Sequence, residues 1–215
     1  MDRRLTIALV FIVASFGLFG YALWRTNVVH DVQVLQGTIT KNSPVVRLVA
    51  MGDNHTDNPI FRTILDEILS GPYQGFLHLG DSTDFGTPQE FSVIRDRFAS
   101  LPFPTITTVG NHDIKPNLTR TNYIDAYGQQ PCSSHDIGHV HIIALDNADR
   151  KVGFSKSCLA FLRNDLTAHQ TGPIILMYHR PFQLPLNALT GDDETPASRK
   201  TNIQFLEYIS NAKNI

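Results

Sequence analysis

The run TVGNHD at residues 108–113 closes the stretch PTITTVG (104–110) and sets an amide, an imidazole and a carboxylate side by side. β-branched residues favour pleated, half-buried backbone. The reading is therefore a strand that ends in a glycine and delivers three polar, metal-capable side chains at its tip. Working outward, the pattern recurs. VVRLVAM (45–51) runs into GDNHTD, GFLHLG (75–80) into DSTD, and IILMY (174–178) into HRP, with HVHIIAL (139–145) as a fifth apolar run. Stretches of helical period lie near 59–70, 88–100, 156–169 and 197–212. This alternation specifies an α/β domain. Asn58 before Pro59, and Thr87 before Pro88 with Glu90 three residues past the threonine, mark helix starts independently of periodicity.

Asp53 and His55, Asp81 and Asp84, Asn111, His112 and Asp113, and His179 thus all fall just past carboxyl ends of strands. That is the edge on which open α/β sheets bind their ligands. Gly52, Gly80 and Gly110 lead three of the clusters, and glycine lets backbone leave a strand at unusual dihedrals and come close to a ligand. Oxygen and imidazole donors without thiolate suit manganese, iron(II), zinc or magnesium. A carboxylate on the middle strand can bridge two ions roughly 3.5–4 Å apart, the spacing of two-metal phosphoryl chemistry.

The ordered series D-x-H, G-D-x-x-D, G-N-H-D and H, each after a strand, resembles the calcineurin-like metallophosphoesterase family over about residues 45–180. The resemblance implies a two-sheet αββα sandwich and a hydrolase acting on phosphate mono- or diesters through water activated by two divalent ions, manganese, iron or zinc. It places Asp53 and His55 on the first ion, Asp81 between the two, and Asn111 and His179 on the second. His112 would be the general acid or a donor to phosphate, with Asp113 orienting its ring, and Asp84 would position its neighbours without binding metal. Purple acid phosphatases carry a tyrosine at the position of Asp84, so the implied centre is the colourless dinuclear type.

The family closes its motif series with G-H-x-H on a later strand, and no such motif follows His179. The expectation is a sandwich incomplete at its carboxyl end, belonging either to a fragment or to a shortened protein. A second reading follows: a membrane-tethered, catalytically impaired binding or scaffold protein that keeps the fold. GHVH at 138–141 precedes MYHR and is read as an ordinary sheet strand. His78 reads as a satisfied side chain within a sheet, and His30, His135 and His169 have no partners at suggestive spacing. Asp146 and Asn147 receive no chemistry. Arg180 is either a phosphate contact or a solvated loop residue.

Residues 5–24 are twenty consecutive residues without a charge, preceded by Arg3 and Arg4. A helix of that length crosses roughly 30 Å of hydrocarbon. The expected organisation is an anchor at 1–25, a linker at 26–43 and the metallophosphoesterase domain at 44–215. The arginines favour a cytoplasmic amino terminus and a periplasmic or extracellular body, with a cleaved signal peptide and a buried core helix as alternatives. In an exported body Cys132 and Cys158 pair or remain thiols. A net charge of −2 offers no basic field for nucleic acid. The expected partners are a phosphoester substrate and, through the front helix, a membrane. The loop LPLNALTGDDETPAS (184–198) announces no ligand.

Overall fold

A computed structural model describes residues 45–115, 117–181 and 195–215. The anchor and linker expected over 1–43, His30 with them, and most of the 184–198 loop lie outside the described residues. Among the described residues no helix is long and apolar enough to cross a membrane.

The order is β1 (Leu48–Met51), α1 (Pro59–Ser70), β2 (Gly75–His78), α2 (Pro88–Ala99), β3 (Thr105–Thr107), α3 (Thr121–Tyr127), β4 (Ser133–Ile137), β5 (Val140–Ala144), α4 (Lys156–Ala168), β6 (Ile174–Met177) and α5 (Pro196–Ser210). The starts of α1 and α2 are those expected. Asn58 accepts from the Phe61 amide, and Thr87 and Glu90 exchange both bonds of a capping box. Helix α1 buries Phe61, Leu65 and Ile68 along one stripe, and α2 buries Phe91, Ile94 and Phe98.

β1, β2 and β3 form a parallel sheet in that order. β4, β5 and β6 form a mixed sheet, antiparallel across the β4–β5 hairpin and parallel between β5 and β6. Side chains alternate faces along a strand, and this alternation assigns the layers. Leu77 and Ile106 meet Ile142, Ala144 and Met177 between the sheets. Phe76 turns the other way, onto Phe61, Leu65, Ile94 and Phe98 of α1 and α2. Ile143 and Ile174 turn onto Leu159, Leu162 and Phe205 of α4 and α5. The result is helix, sheet, sheet, helix: an α/β architecture with two sheets and five helices among the described residues, as expected for the metallophosphoesterase fold.

Two elements were not expected, the seven-residue helix α3 and the strand β4. The run 139–145 is one strand as expected, trimmed at its ends: β5 begins at Val140, and His139 sits in the hairpin turn beside Gly138, whose φ is +61°. Cys132 and Cys158 form a disulfide that ties the approach to β4 onto α4. Closing a loop across their sequence separation of 26 contributes about 3.5 kcal/mol in the chain-entropy view.

Candidate metal centre

The loops after β1 and β2 are built on strained backbone. Asp53, His55 and Asp81 have φ of 59°, 55° and 53°, a left-handed region that non-glycine residues seldom adopt. The two loops hold each other there. The Asp53 amide donates to the Gly80 carbonyl at 3.0 Å and the His55 amide to the Asp81 carbonyl at 2.9 Å. The strain therefore falls mainly on the ligand-bearing residues and less on their leading glycines, of which Gly80 alone has a positive φ, +94°. The glycines act by close approach instead. A Cβ on Gly80 would stand 2.8 Å from His179 Nδ1 and 2.9 Å from Gly110 Cα, and one on Gly110 would collide with the amide and carboxylate of Asp81.

That closeness draws the strand tips together. Ligand atoms of Asp53, Asp81 and His179 all lie within 4.8 Å of one another. His179 Nδ1 donates to the Leu79 carbonyl at 2.9 Å, so a side chain from the mixed sheet is bonded to the parallel one. Its Nε2 lies 3.0 Å from Asn111 Oδ1 and 3.5 Å from Asp81 Oδ1, which also accepts from the His112 amide at 2.8 Å. Burial opposes charge on His179, but its hydrogen bond and attraction to Asp81 prevail and lift it to about 9. Burial likewise pushes the Asp81 carboxyl up, and His179 outweighs it, holding Asp81 below the ordinary carboxylate value. Asp53 is raised, chiefly by burial.

His55, Asp84 and His112 form a second triad beside the first. The two imidazole rings meet edge to face with centroids 4.4 Å apart. His55 Nδ1 is buried and makes no hydrogen bond, with Asp84 Oδ1 3.7 Å away. A bare, buried imidazole nitrogen is what a metal ligand presents, and the surrounding donors are oxygen and imidazole throughout. The residues therefore fit divalent ions.

The structure gives Asp113 partners other than the expected one. Its Oδ1 accepts from Ser82 Oγ at 3.0 Å, the Thr83 amide at 3.0 Å and Thr83 Oγ1 at 2.9 Å, and its Oδ2 from the Gly110 amide at 2.9 Å. Asp113 thus locks the β2 and β3 loops together. The ring of His112 is met by Asp84, whose carbonyl and Oδ1 lie 3.0 and 3.2 Å from Nδ1. The physical reason is burial: Asp113 lies wholly beneath the loops, while Asp84 stands at the half-exposed surface where the ring is.

Asn147 and Lys115 had no role in the sequence reading, Arg180 had an open one, and His78 was read as a satisfied side chain within a sheet. Asn147 accepts from the amides of His179 and Arg180 at 3.1 and 2.9 Å and donates to the Arg180 carbonyl at 2.7 Å, fixing the strand end that bears His179. Arg180 Nη1 donates to Asn111 Oδ1 at 3.0 Å, which places the arginine at the centre. Lys115 Nζ lies 2.9 Å from His112 Nδ1. His78, fully buried, meets Asn54 Oδ1 through Nε2 at 2.6 Å, while Asn54 Nδ2 donates to the Ser82 carbonyl at 3.1 Å. It therefore supports the residue between Asp53 and His55. Burial drives the His78 pKa down to about 3, so the ring is neutral. Asn147 and Lys115 were findable only as polar residues near a strand tip, a signal too common to single them out.

Compared with known proteins, residues 46–204 match a family described as calcineurin-like phosphoesterase. Among solved structures the chain is similar to a single mutant of Vps29 from Entamoeba histolytica at 16% identity and a TM-score of 0.32, over 60% of this chain and 62% of that one. The alignment thus spans less than two thirds of that protein. No curated protein matches the chain.

Proposed function

The chain belongs to the calcineurin-like phosphoesterase family, and from that premise we propose that it hydrolyses phosphate mono- or diesters with the aid of two divalent ions, manganese, iron or zinc. The observation that carries this reading is the convergence of Asp53, Asp81 and His179, from three strand tips and both sheets, within 4.8 Å. Asp53 and His55 would hold one ion, Asn111 and His179 the other, with Asp81 shared. When bound, such ions lower the pKa of a water and neutralise phosphate oxygens.

The chain's own residues supply the rest. Asp84 and Lys115 both meet His112 at Nδ1, leaving Nε2 as the nitrogen that would carry the proton handed to the departing alkoxide or phenoxide. Lys115 and Arg180 offer positive charge to a phosphate at the same edge. Asp113 and Asn147 position the loops that carry these groups. The charge-free segment 5–24 would tether the domain to a membrane with the centre on the extracytoplasmic side, a setting in which the Cys132–Cys158 bond persists.

Full-length protein loaded with manganese should cleave p-nitrophenyl phosphate or bis(p-nitrophenyl) phosphate and lose that activity on chelation. His112→Gln should slow an alkyl phosphoester by about a hundredfold while barely affecting the p-nitrophenyl ester, whose leaving group needs no proton. Metal binding without turnover would replace hydrolysis by a tethered binding role.

A further inference from the structure

A second polar group sits at the opposite rim of the mixed sheet, where β5 and β6 begin. The hairpin register sets Asp136 of β4 across from His141 of β5, and His141 Nδ1 donates to Asp136 Oδ1 at 2.7 Å. That bond turns the other ring nitrogen, Nε2, toward α4, where it lies 2.9 Å from Asp165 Oδ1. One helical turn on, His169 completes the group. Its Nδ1 lies 2.5 Å from the same Asp165 oxygen and 3.0 Å from the Asp165 carbonyl. Its ring stacks on that of His141, centroids 3.7 Å apart and planes 18° from parallel. His141 and Asp165 are buried, whereas the His169 side chain is 42% exposed.

Both ring nitrogens of His141 face carboxylate oxygens, and His169 Nδ1 faces the same Asp165 oxygen, so donor atoms from β5 and α4 close on one point. One divalent cation can be shared among them. His141 Nε2, His169 Nδ1 and an Asp165 oxygen lie within 4.8 Å of one another, and two imidazoles with a carboxylate are a zinc donor set. Asp136 stands where a carboxylate orients a ligating histidine.

We propose that His141, Asp165 and His169 form a zinc-binding site at the rim away from the phosphoester centre, with Asp136 as a positioning residue and the open side of His169 as the route of entry. Bound zinc joins β5 to the last turn of α4. The chain is gathered there a second time, because Asn214 donates to the carbonyls of His169 and Gly172 at 3.1 and 2.7 Å.

The full chain, stripped of metal and titrated with zinc, tests this. The catalytic rim also takes zinc, so variants and location separate the two. His169→Ala and Asp136→Asn alter exposed residues outside the catalytic machinery, whereas Asp165 is left intact because its loss strands buried partners. His169→Ala should lose one equivalent of bound zinc, and Asp136→Asn should weaken that equivalent by about 10 to 100-fold. Both should keep manganese-supported turnover. Anomalous diffraction at the zinc edge should place a peak among the three ligand atoms. Unchanged zinc content in His169→Ala, or anomalous peaks confined to the catalytic rim, would overturn the site and leave the cluster to protons.

Discussion

At the catalytic rim Asp53, His55 and Asp81 stand on left-handed backbone, with φ of 59°, 55° and 53°, while at the far rim His141 and Asp165 occupy an ordinary strand and an ordinary helix. The side chains are of the same kinds, so the difference lies in what holds them. Left-handed residues cost about 1–3 kcal/mol each and persist where neighbours over-determine them, here through the two amide bonds that the β1 loop donates to the β2 loop. The far rim needs no such bracing, because strand register and a helical turn bring its residues together. Strain therefore marks the rim to which we assign the chemistry, and regular structure marks the far one.

The comparison can be broken most forcefully at Asp81. Asp81→Asn should lower kcat/KM by on the order of a thousandfold, matching the several kcal/mol a shared ion supplies at about 1.4 kcal/mol per decade. Steady-state kinetics at saturating manganese measures it, and near-normal turnover would remove the centre from this rim. Asp165→Asn is the converse. It should cost about 3 kcal/mol in denaturant unfolding, since it leaves the buried His141 imidazole without its anion, and leave turnover per folded molecule unchanged.

A gentler probe is acid. The His78 pKa is about 3 in the fold, below the ordinary 6.5, so its neutral form belongs to the folded state. The stability it contributes is whole above pH 6.5 and lost as pH falls toward 3, by roughly 1 kcal/mol per pH unit. His78→Gln, which retains a donor for Asn54, should flatten that part of the pH–stability curve. The smallest expected effect tests the strain itself. His55→Gly, measured with chelator present, should raise stability by about 1 kcal/mol, because glycine accepts φ near +55° without penalty; a loss would show the left-handed turn to be unstrained.

Much of this was legible in the sequence because it rests on local rules. Glycine-led polar clusters after apolar runs placed Asp53, Asp81, Asn111 and His179 at strand ends, and Asn58 and Thr87 marked their helices unaided. What could not be read depends on partners distant in the chain. Helix α3 has seven residues and no side-chain cap, too little for periodicity. Strand β4, SSHDI, has one fully buried residue and is a strand because β5 pairs with it. His169 appeared partnerless because its companions come from its own helix and from a hairpin register. Asp84 rather than Asp113 meets the His112 ring because adjacency in GNHD says nothing of which side chain turns inward.

The bond from His179 Nδ1 to the Leu79 carbonyl joins residues 100 positions apart. A chain emerging from the ribosome has made Asp53, His55, Asp81 and Asn111 long before His179, and the nascent cluster remains open until β6 docks. A cation bound at the proposed centre would therefore meet its full set of donors only at the close of folding.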